Sequence, residues 1–173
     1  MRILTLCTAN VARSVMLAYM LSALAEAEGR DWQVRSAGIY AIEGDGVSAR
    51  TRRALESLGE LGERSYAAHR SHQVRAADVE WADVVLAMEA DHVRFLQGLD
   101  DHLGARAVSF AQFVRHAPLD EPLSHQIATV RAVGLSDDDD VTDPRDGDEA
   151  TYARCAQELW DLAQAFAVVA SDD

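Results

Sequence analysis

Cys7 is one of only two cysteines in the chain, five residues separate it from Arg13, and Ser14 comes next. The stretch reads Cys7-Thr8-Ala9-Asn10-Val11-Ala12-Arg13-Ser14, directly after the apolar residues Ile3, Leu4 and Leu6. An ionised thiol is a strong nucleophile. A guanidinium is a permanent planar fork that matches two oxygens of a phosphate-like group. If the turn curls, the amides of Thr8, Ala9, Asn10, Val11, Ala12 and Arg13 point at one anion, with the positive end of a helix behind it. The same surroundings favour a thiolate, and the Ser14 hydroxyl can donate to it. The bland alternative is a small core cysteine and an arginine near a helix start. Placement between a buried strand and a helix favours the chemistry.

The elements around this turn follow from periodicity. Arg2–Cys7 is predicted to be a short buried strand and Arg13–Glu28 a helix, with Val15, Met16, Tyr19, Met20, Ala23 and Leu24 at helical spacing and Gly29 as its stop. A second strand is expected over Trp32–Ser36, closed by Ala37-Gly38. A helix capped by Ser48 is expected to Leu58, a buried strand over Trp81–Met88, a helix from Ala90 to Gln97 and a weak strand over Arg106–Ser109. This alternation specifies an α/β domain with a parallel sheet. Between Pro118 and Asp143 a short helix fits Leu123, Ile127, Val130 and Val133, and Ser136–Asp140 is expected to be a solvated acidic loop. A long amphipathic helix fills Asp148–Ala170, with Tyr152, Ala156, Leu159, Ala163 and Phe166 inward. One domain over residues 1–173 is expected, since no linker or repeat divides the chain.

Composition narrows the chemistry. All 16 basic residues are arginine. Without lysine, a Schiff base, a pyridoxal phosphate site and a Walker-type phosphate loop are excluded. The formal net charge is −13, which disfavours nucleic acid and anionic membrane as partners. No apolar run is long enough to cross a bilayer and no export signal is visible, so a reducing cytoplasm is expected. No cofactor and no metal are expected. Asp137–Asp140 lacks the spacing of an EF-hand, and His69 and His72 lack zinc-ligand partners at useful spacing.

From Cys7 to Ser14 the chain resembles the low-molecular-weight protein tyrosine phosphatase family, whose loop is C-x-G-N-x-C-R-S. "VRSAG" (Val34–Gly38), "AHRSHQV", "WADVVLAMEADHVRFL" and "DPRDGDEATYARC" are similar to further family segments in the same order. The resemblance implies a four-stranded parallel sheet flanked by helices on both faces. It implies Cys7 as nucleophile, Arg13 as phosphate ligand and Asp143 as general acid. It also implies that Ser36 braces Asn10 and that His69 is structural. On local sequence alone Asp143-Pro144 is an ordinary turn, stiffened by Pro144.

The chain departs from the family pattern in four places. Ala9 replaces a loop glycine, which is tolerable only at negative φ. Ala12 replaces a second loop cysteine, and Val15 a proline. Ile42, Arg145 and Asp146 stand where relatives carry aromatic pocket walls, and Tyr40 is the only aromatic expected nearby. Three functions fit: a cysteine-dependent phosphomonoesterase using a phosphocysteine intermediate, an arsenate reductase helped by an external small thiol, and a non-catalytic oxyanion-binding module. Thioredoxin-dependent reductases need two further cysteines near mid-chain. Here the second cysteine, Cys155, falls in the final helix, expected to lie far from Cys7. The expected partner is a phosphorylated protein or a small phosphate ester, and no signature of an oligomeric state is present.

Overall fold

The computed structural model describes residues 1–62 and 64–170. Strands β1 (Arg2–Cys7), β2 (Gln33–Gly38), β3 (Val84–Ala87) and β4 (Ala107–Ser109) form one sheet in the order β2-β1-β3-β4. Every neighbouring pair is parallel. Because side chains alternate along a strand, Ile3 and Cys7 enter one core while Leu4 and Leu6 enter the other. The first core is closed by α1 (Arg13–Glu28), α2 (Ala49–Glu56), α6 (Phe110–His116), α7 (Leu123–Val133) and α8 (Glu149–Val169). The second is closed by α3 (Ala76–Trp81), α4 (Ala90–Leu99) and α5 (Asp101–Gly104). The expected α/β architecture with helices on both faces is the one observed.

Local chemistry sets the helix ends. α1 stops at Gly29, which takes φ +68 and returns its N–H to Ala25 O, a conformation that glycine adopts without strain. Ser48 Oγ accepts the N–H of Thr51 at 3.0 Å at the start of α2. Asp148 does the same for Thr151 at 2.9 Å at the start of α8, and both are ordinary side-chain caps.

Several elements differ from expectation. The strand expected over Trp81–Met88 is split: Trp81 ends α3, and β3 begins at Val84. The Arg75 N–H donates to Asp78 Oδ2 at 2.9 Å, which nucleates α3 without an apolar periodicity to announce it. Helices α5 and α6 were not expected, and α6 follows β4 with no loop at all. The acidic run Asp137–Asp139 is a 3₁₀ turn rather than a solvated loop. Asp139 is buried and paired with Arg115, Asp137 pairs with Arg94 at 2.9 Å, and Asp140 Oδ1 accepts the Ala90 N–H at 2.7 Å. These carboxylates pin the segment before Asp143 to α4 and α6.

The strand order places the site. From β1 the chain moves to β2 on one side, and β3 leads to β4 on the other, so the carboxyl ends of β1 and β3 flank the topological switch point where open α/β sheets bind ligands. Cys7 ends β1 beside Gly38 of β2. A Cβ on Gly38 would stand 2.7 Å from Thr8 O and 2.9 Å from Asn10 N. Gly38 is therefore required for close approach of the cysteine loop, not for its own dihedral angles. Gly38→Ala is expected to push the loop outward, costing about 1–3 kcal/mol as an overpacked site. It should also weaken vanadate binding at least tenfold. Urea unfolding and vanadate titration measure the two effects, and wild-type values in both would contradict the steric role.

Candidate active site

The loop between β1 and α1 turns its carbonyls outward. Cys7 O accepts the Ile39 N–H at 2.9 Å, and Thr8 O accepts the Tyr40 N–H at 2.8 Å. Asn10 O faces His69 Nε2 at 2.9 Å, and Val11 O accepts the Thr51 hydroxyl at 2.9 Å. Ala12 O accepts the Met16 N–H at 2.8 Å, the first bond of α1. With these carbonyls satisfied by the scaffold, the loop is held as a tight turn whose Asn10 N–H reaches Cys7 Sγ. Ala9 keeps φ negative, so its β-carbon is accommodated. Asn10 instead takes φ +55, the left-handed region that Asn tolerates better than most residues.

Two donors reach the sulfur. The Asn10 N–H lies 3.3 Å from Cys7 Sγ, and Ser14 Oγ lies 3.0 Å from it. Asn10 Nδ2 donates to Ser14 Oγ at 3.0 Å, which leaves the Ser14 proton free to point at Cys7. Asn10 Oδ1 accepts the His72 N–H at 2.9 Å. Asn10 is thus braced by Ser14 and His72 and not by Ser36, which stays in the ladder of β2 opposite Thr5. A small side chain there serves the strand, and the bracing arrives from the segment before α3. His69 carries a proton on Nε2, because a carbonyl only accepts. Burial lowers its pKa, against the bond to Asn10 O.

Arg13 is 1% exposed. A buried cation needs partners on every face. Nη1 pairs with Glu89 Oε1 and donates to Val141 O at 2.9 Å. Nη2 donates to Asp143 Oδ2 at 2.7 Å and lies 3.4 Å from Thr8 Oγ1. Burial opposes the charge, but Asp143, Glu89 and Cys7 outweigh it and raise the pKa of Arg13. Asp143 is exposed, its side chain 34% accessible, and its Oδ1 accepts the Arg145 N–H at 3.0 Å, which orients the carboxylate across Pro144. Cys7, Thr8, Ala9, Val11, Ala12, Arg13, Asp143, Arg145 and Tyr152 line a narrow pocket of about 60 Å³. The loop, the guanidinium and the distant carboxylate expected from the sequence therefore meet.

Three residues of this site escaped the sequence. Glu89 follows β3 at its carboxyl end, a position where ligand-facing groups collect. His92 is buried, its Nδ1 accepts the Glu89 N–H at 3.1 Å, and its Nε2 lies 3.0 Å from Thr8 Oγ1. The neutral ring must therefore carry its proton on Nε2 and donate to Thr8, so the Thr8 hydroxyl proton is free for the pocket. Tyr152, read as core, forms a pocket wall. Tyr40 is exposed and packs edge-on against Phe95, while Ile42 and Asp146 are also exposed. Cys155 is not remote from Cys7 as expected: α8 packs on α1, and Cys155 lies within electrostatic reach of Arg13 and Cys7. Burial pushes the Cys155 thiol up to about 12, so it supplies no ready second thiolate.

The fold and this arrangement define a phosphatase-type hydrolase. The chain belongs to the low molecular weight phosphotyrosine protein phosphatase family, whose model matches residues 2–136. It is 37% identical over 91 residues to the protein-arginine-phosphatase of Geobacillus stearothermophilus, a match covering 53% of this chain and 56% of that protein. It is 28% identical over 167 residues to the protein-arginine-phosphatase of Bacillus subtilis, covering 96% and 95%. Among solved structures it resembles a low molecular weight protein tyrosine phosphatase from T. tengcongensis, with TM-score 0.78, 29% identity and coverage of 96% and 97%.

The buried imidazole has a pH consequence. Burial, reinforced by Arg13 and opposed by Glu89, Asp143 and Asp91, lowers the pKa of His92 to about 4. An unfolded histidine titrates near 6.5. Between those values the unfolded chain binds a proton that the folded chain refuses, so stability falls as pH drops from about 6.5 to about 4. His92→Gln should flatten that part of the curve. Urea midpoints for both proteins across this range measure it, and parallel curves would remove His92 from the effect.

Proposed function

We propose that the chain is a cysteine-dependent protein phosphatase that works through a phosphocysteine intermediate. One observation carries this: Cys7 Sγ, the Asn10 N–H beside it and the Arg13 fork belong to one loop, with the Asp143 carboxylate across the pocket. In the first step the thiolate forms an S–P bond as the bond from phosphorus to the substrate breaks, and Asp143 delivers a proton to the leaving atom. In the second, water attacks the phosphocysteine, its proton passes to Asp143, and the thiolate departs from inorganic phosphate. Amides and Arg13 neutralise charge on the non-bridging oxygens throughout.

Arg13 Nη2 is shared. It holds Asp143, and a phosphoryl oxygen that takes this donor releases the carboxylate toward the leaving group. Asp143→Asn should therefore slow turnover by roughly 10²–10⁴-fold while tightening vanadate binding, because a neutral amide competes less for Arg13. The loss should shrink for substrates with good leaving groups. Cys7→Ser should abolish turnover. Rates on aryl phosphates of graded leaving-group pKa test both, and a wild-type rate for Cys7→Ser would end the proposal.

The substrate proposed is phosphoarginine in protein. Both curated relatives described above are protein-arginine-phosphatases. Among the described residues Tyr152 is the one ring lining the pocket, and Arg145 with its neighbour Asp146 stands in place of others, so aromatic stacking, worth about 0.5–1.5 kcal/mol per pair, grips a phosphotyrosine from one wall only. An acidic chain of net charge −13 also suits a cationic guanidinium leaving group. The expected result is a higher kcat/KM on a phosphoarginine peptide than on the matched phosphotyrosine peptide, with Arg145→Tyr plus Asp146→Tyr narrowing the gap. A preference for phosphotyrosine in the wild type would overturn this assignment and leave the phosphatase chemistry standing.

A further inference from the structure

A threonine hydroxyl has a single proton to give and lone pairs that accept. At Thr8 both neighbours of that oxygen are donors. His92 Nε2 lies 3.0 Å from Thr8 Oγ1. The other ring nitrogen, Nδ1, accepts the Glu89 N–H at 3.1 Å. A neutral His92 therefore carries its proton on Nε2 and gives it to Thr8. Burial of this ring keeps it neutral, with its pKa lowered to about 4.

The second neighbour is Arg13. Its Nη2 lies 3.4 Å from Thr8 Oγ1 and donates to Asp143 Oδ2 at 2.7 Å. A guanidinium has donors and no acceptor. Thr8 can pass its proton to neither neighbour, and among the described residues no other acceptor stands within hydrogen-bond distance of Oγ1. Thr8 is only partly buried, and it lines the cysteine pocket together with Arg13 and Asp143. Its hydroxyl is thus a donor without an acceptor, at the wall of a site built for an anion.

The nitrogen it stands beside is the one that must change partners. In the proposed mechanism a phosphoryl oxygen takes Nη2 from Asp143. That exchange gives up a charge-assisted bond at 2.7 Å, so a second donor to the incoming oxygen favours it.

We propose that the Thr8 hydroxyl donates to the phosphoryl oxygen that displaces Asp143 from Arg13, and that His92 is a positioning residue that commits the hydroxyl to this role. Thr8 is then a catalytic residue through its side chain. The inference rests on the phosphatase reading above and adds the means by which substrate frees the general acid. Without this donor, oxyanion binding weakens and Asp143 stays tied to Arg13. The loss is therefore greatest where the leaving group most needs a proton.

The test uses calorimetric titration of the intact protein with inorganic vanadate, and kcat/KM on aryl phosphates of graded leaving-group pKa. Valine at position 8 keeps the shape and removes the hydroxyl, and serine restores it. Thr8→Val should weaken vanadate binding about tenfold. It should lower kcat/KM about tenfold for the poorest leaving group and only about threefold for the best. Thr8→Ser should stay close to wild type in both measurements. In an Asp143→Asn background the Thr8→Val loss should be equal for every leaving group, because no acid is left to release. A merely structural disturbance of the loop would cost the same across the series in both backgrounds. His92→Asn should steepen the leaving-group dependence as Thr8→Val does, and should add nothing once position 8 is valine. A wild type that binds no vanadate would end the phosphatase reading and this inference together. Wild-type vanadate affinity in Thr8→Val, a loss independent of leaving group, or a Thr8→Ser variant as weak as Thr8→Val would each overturn this inference alone. Further loss on adding His92→Asn to Thr8→Val would overturn the positioning role.

Discussion

A guanidinium that is 1% exposed and still charged imposes conditions on everything near it. Removing one partner of a buried ion pair costs about 3–5 kcal/mol, so the partners of Arg13 are structural obligations before they are catalytic ones. They arrive from three separate parts of the chain: Glu89 after β3, Val141 O and Asp143 before α8, and Thr8 in the loop itself. The acidic turn over Asp137–Asp139 and the Asp140 cap on Ala90 hold the second of these in place. The Val141 N–H donates to Met88 O at 2.8 Å, which extends that attachment to the end of β3. The switch point of the sheet is the one place where all three segments converge.

The loop solves a backbone accounting problem at the same time. Outward carbonyls take donors from β2's continuation, from Thr51, from His69 and from α1. With the carbonyls so engaged, the Asn10 N–H turns to Cys7 Sγ, the arrangement that the proposed oxyanion cradle requires. Gly38 makes the approach possible by having no side chain. Asn10 holds the loop to Ser14 on one side and to the His72 amide on the other.

Sharing of Arg13 between Glu89 and Asp143 divides labour between two carboxylates. Glu89 is tied to the guanidinium from behind, beside the buried His92, and fixes where the fork points. Asp143 sits at the pocket wall on an exchangeable contact. Binding of a phosphoryl group and release of the general acid thus become one event in the proposed mechanism. The neutral His92 orients the Thr8 hydroxyl without adding a second positive charge beside Arg13.

By itself the sequence determined the parallel α/β sheet and the cysteine turn. Strands β1 and β3 and helices α1, α2 and α8 carry strong local signals: unbroken apolar runs, a 3.6-residue stripe, Gly29 and the Ser48 cap. Cys7, Arg13 and Ser14 lie within one turn, so their proximity follows from chain connectivity. Helices α3, α5 and α6 were invisible because each is only 6, 4 or 7 residues long, too short for a periodicity to emerge above chance. Glu89, His92 and Tyr152 were missed for a different reason. Each looks like an ordinary helix-end or core residue until the fold brings it from 76 or more positions away to the loop, as with Glu89 and Arg13. Asp143 gained its contact with Arg13 across 130 positions, and Asn10 took His72 rather than Ser36 as its brace. Only tertiary structure decided these, because a buried charge or amide selects whichever polar group the packed chain delivers within hydrogen-bond reach, and local sequence does not encode that distance.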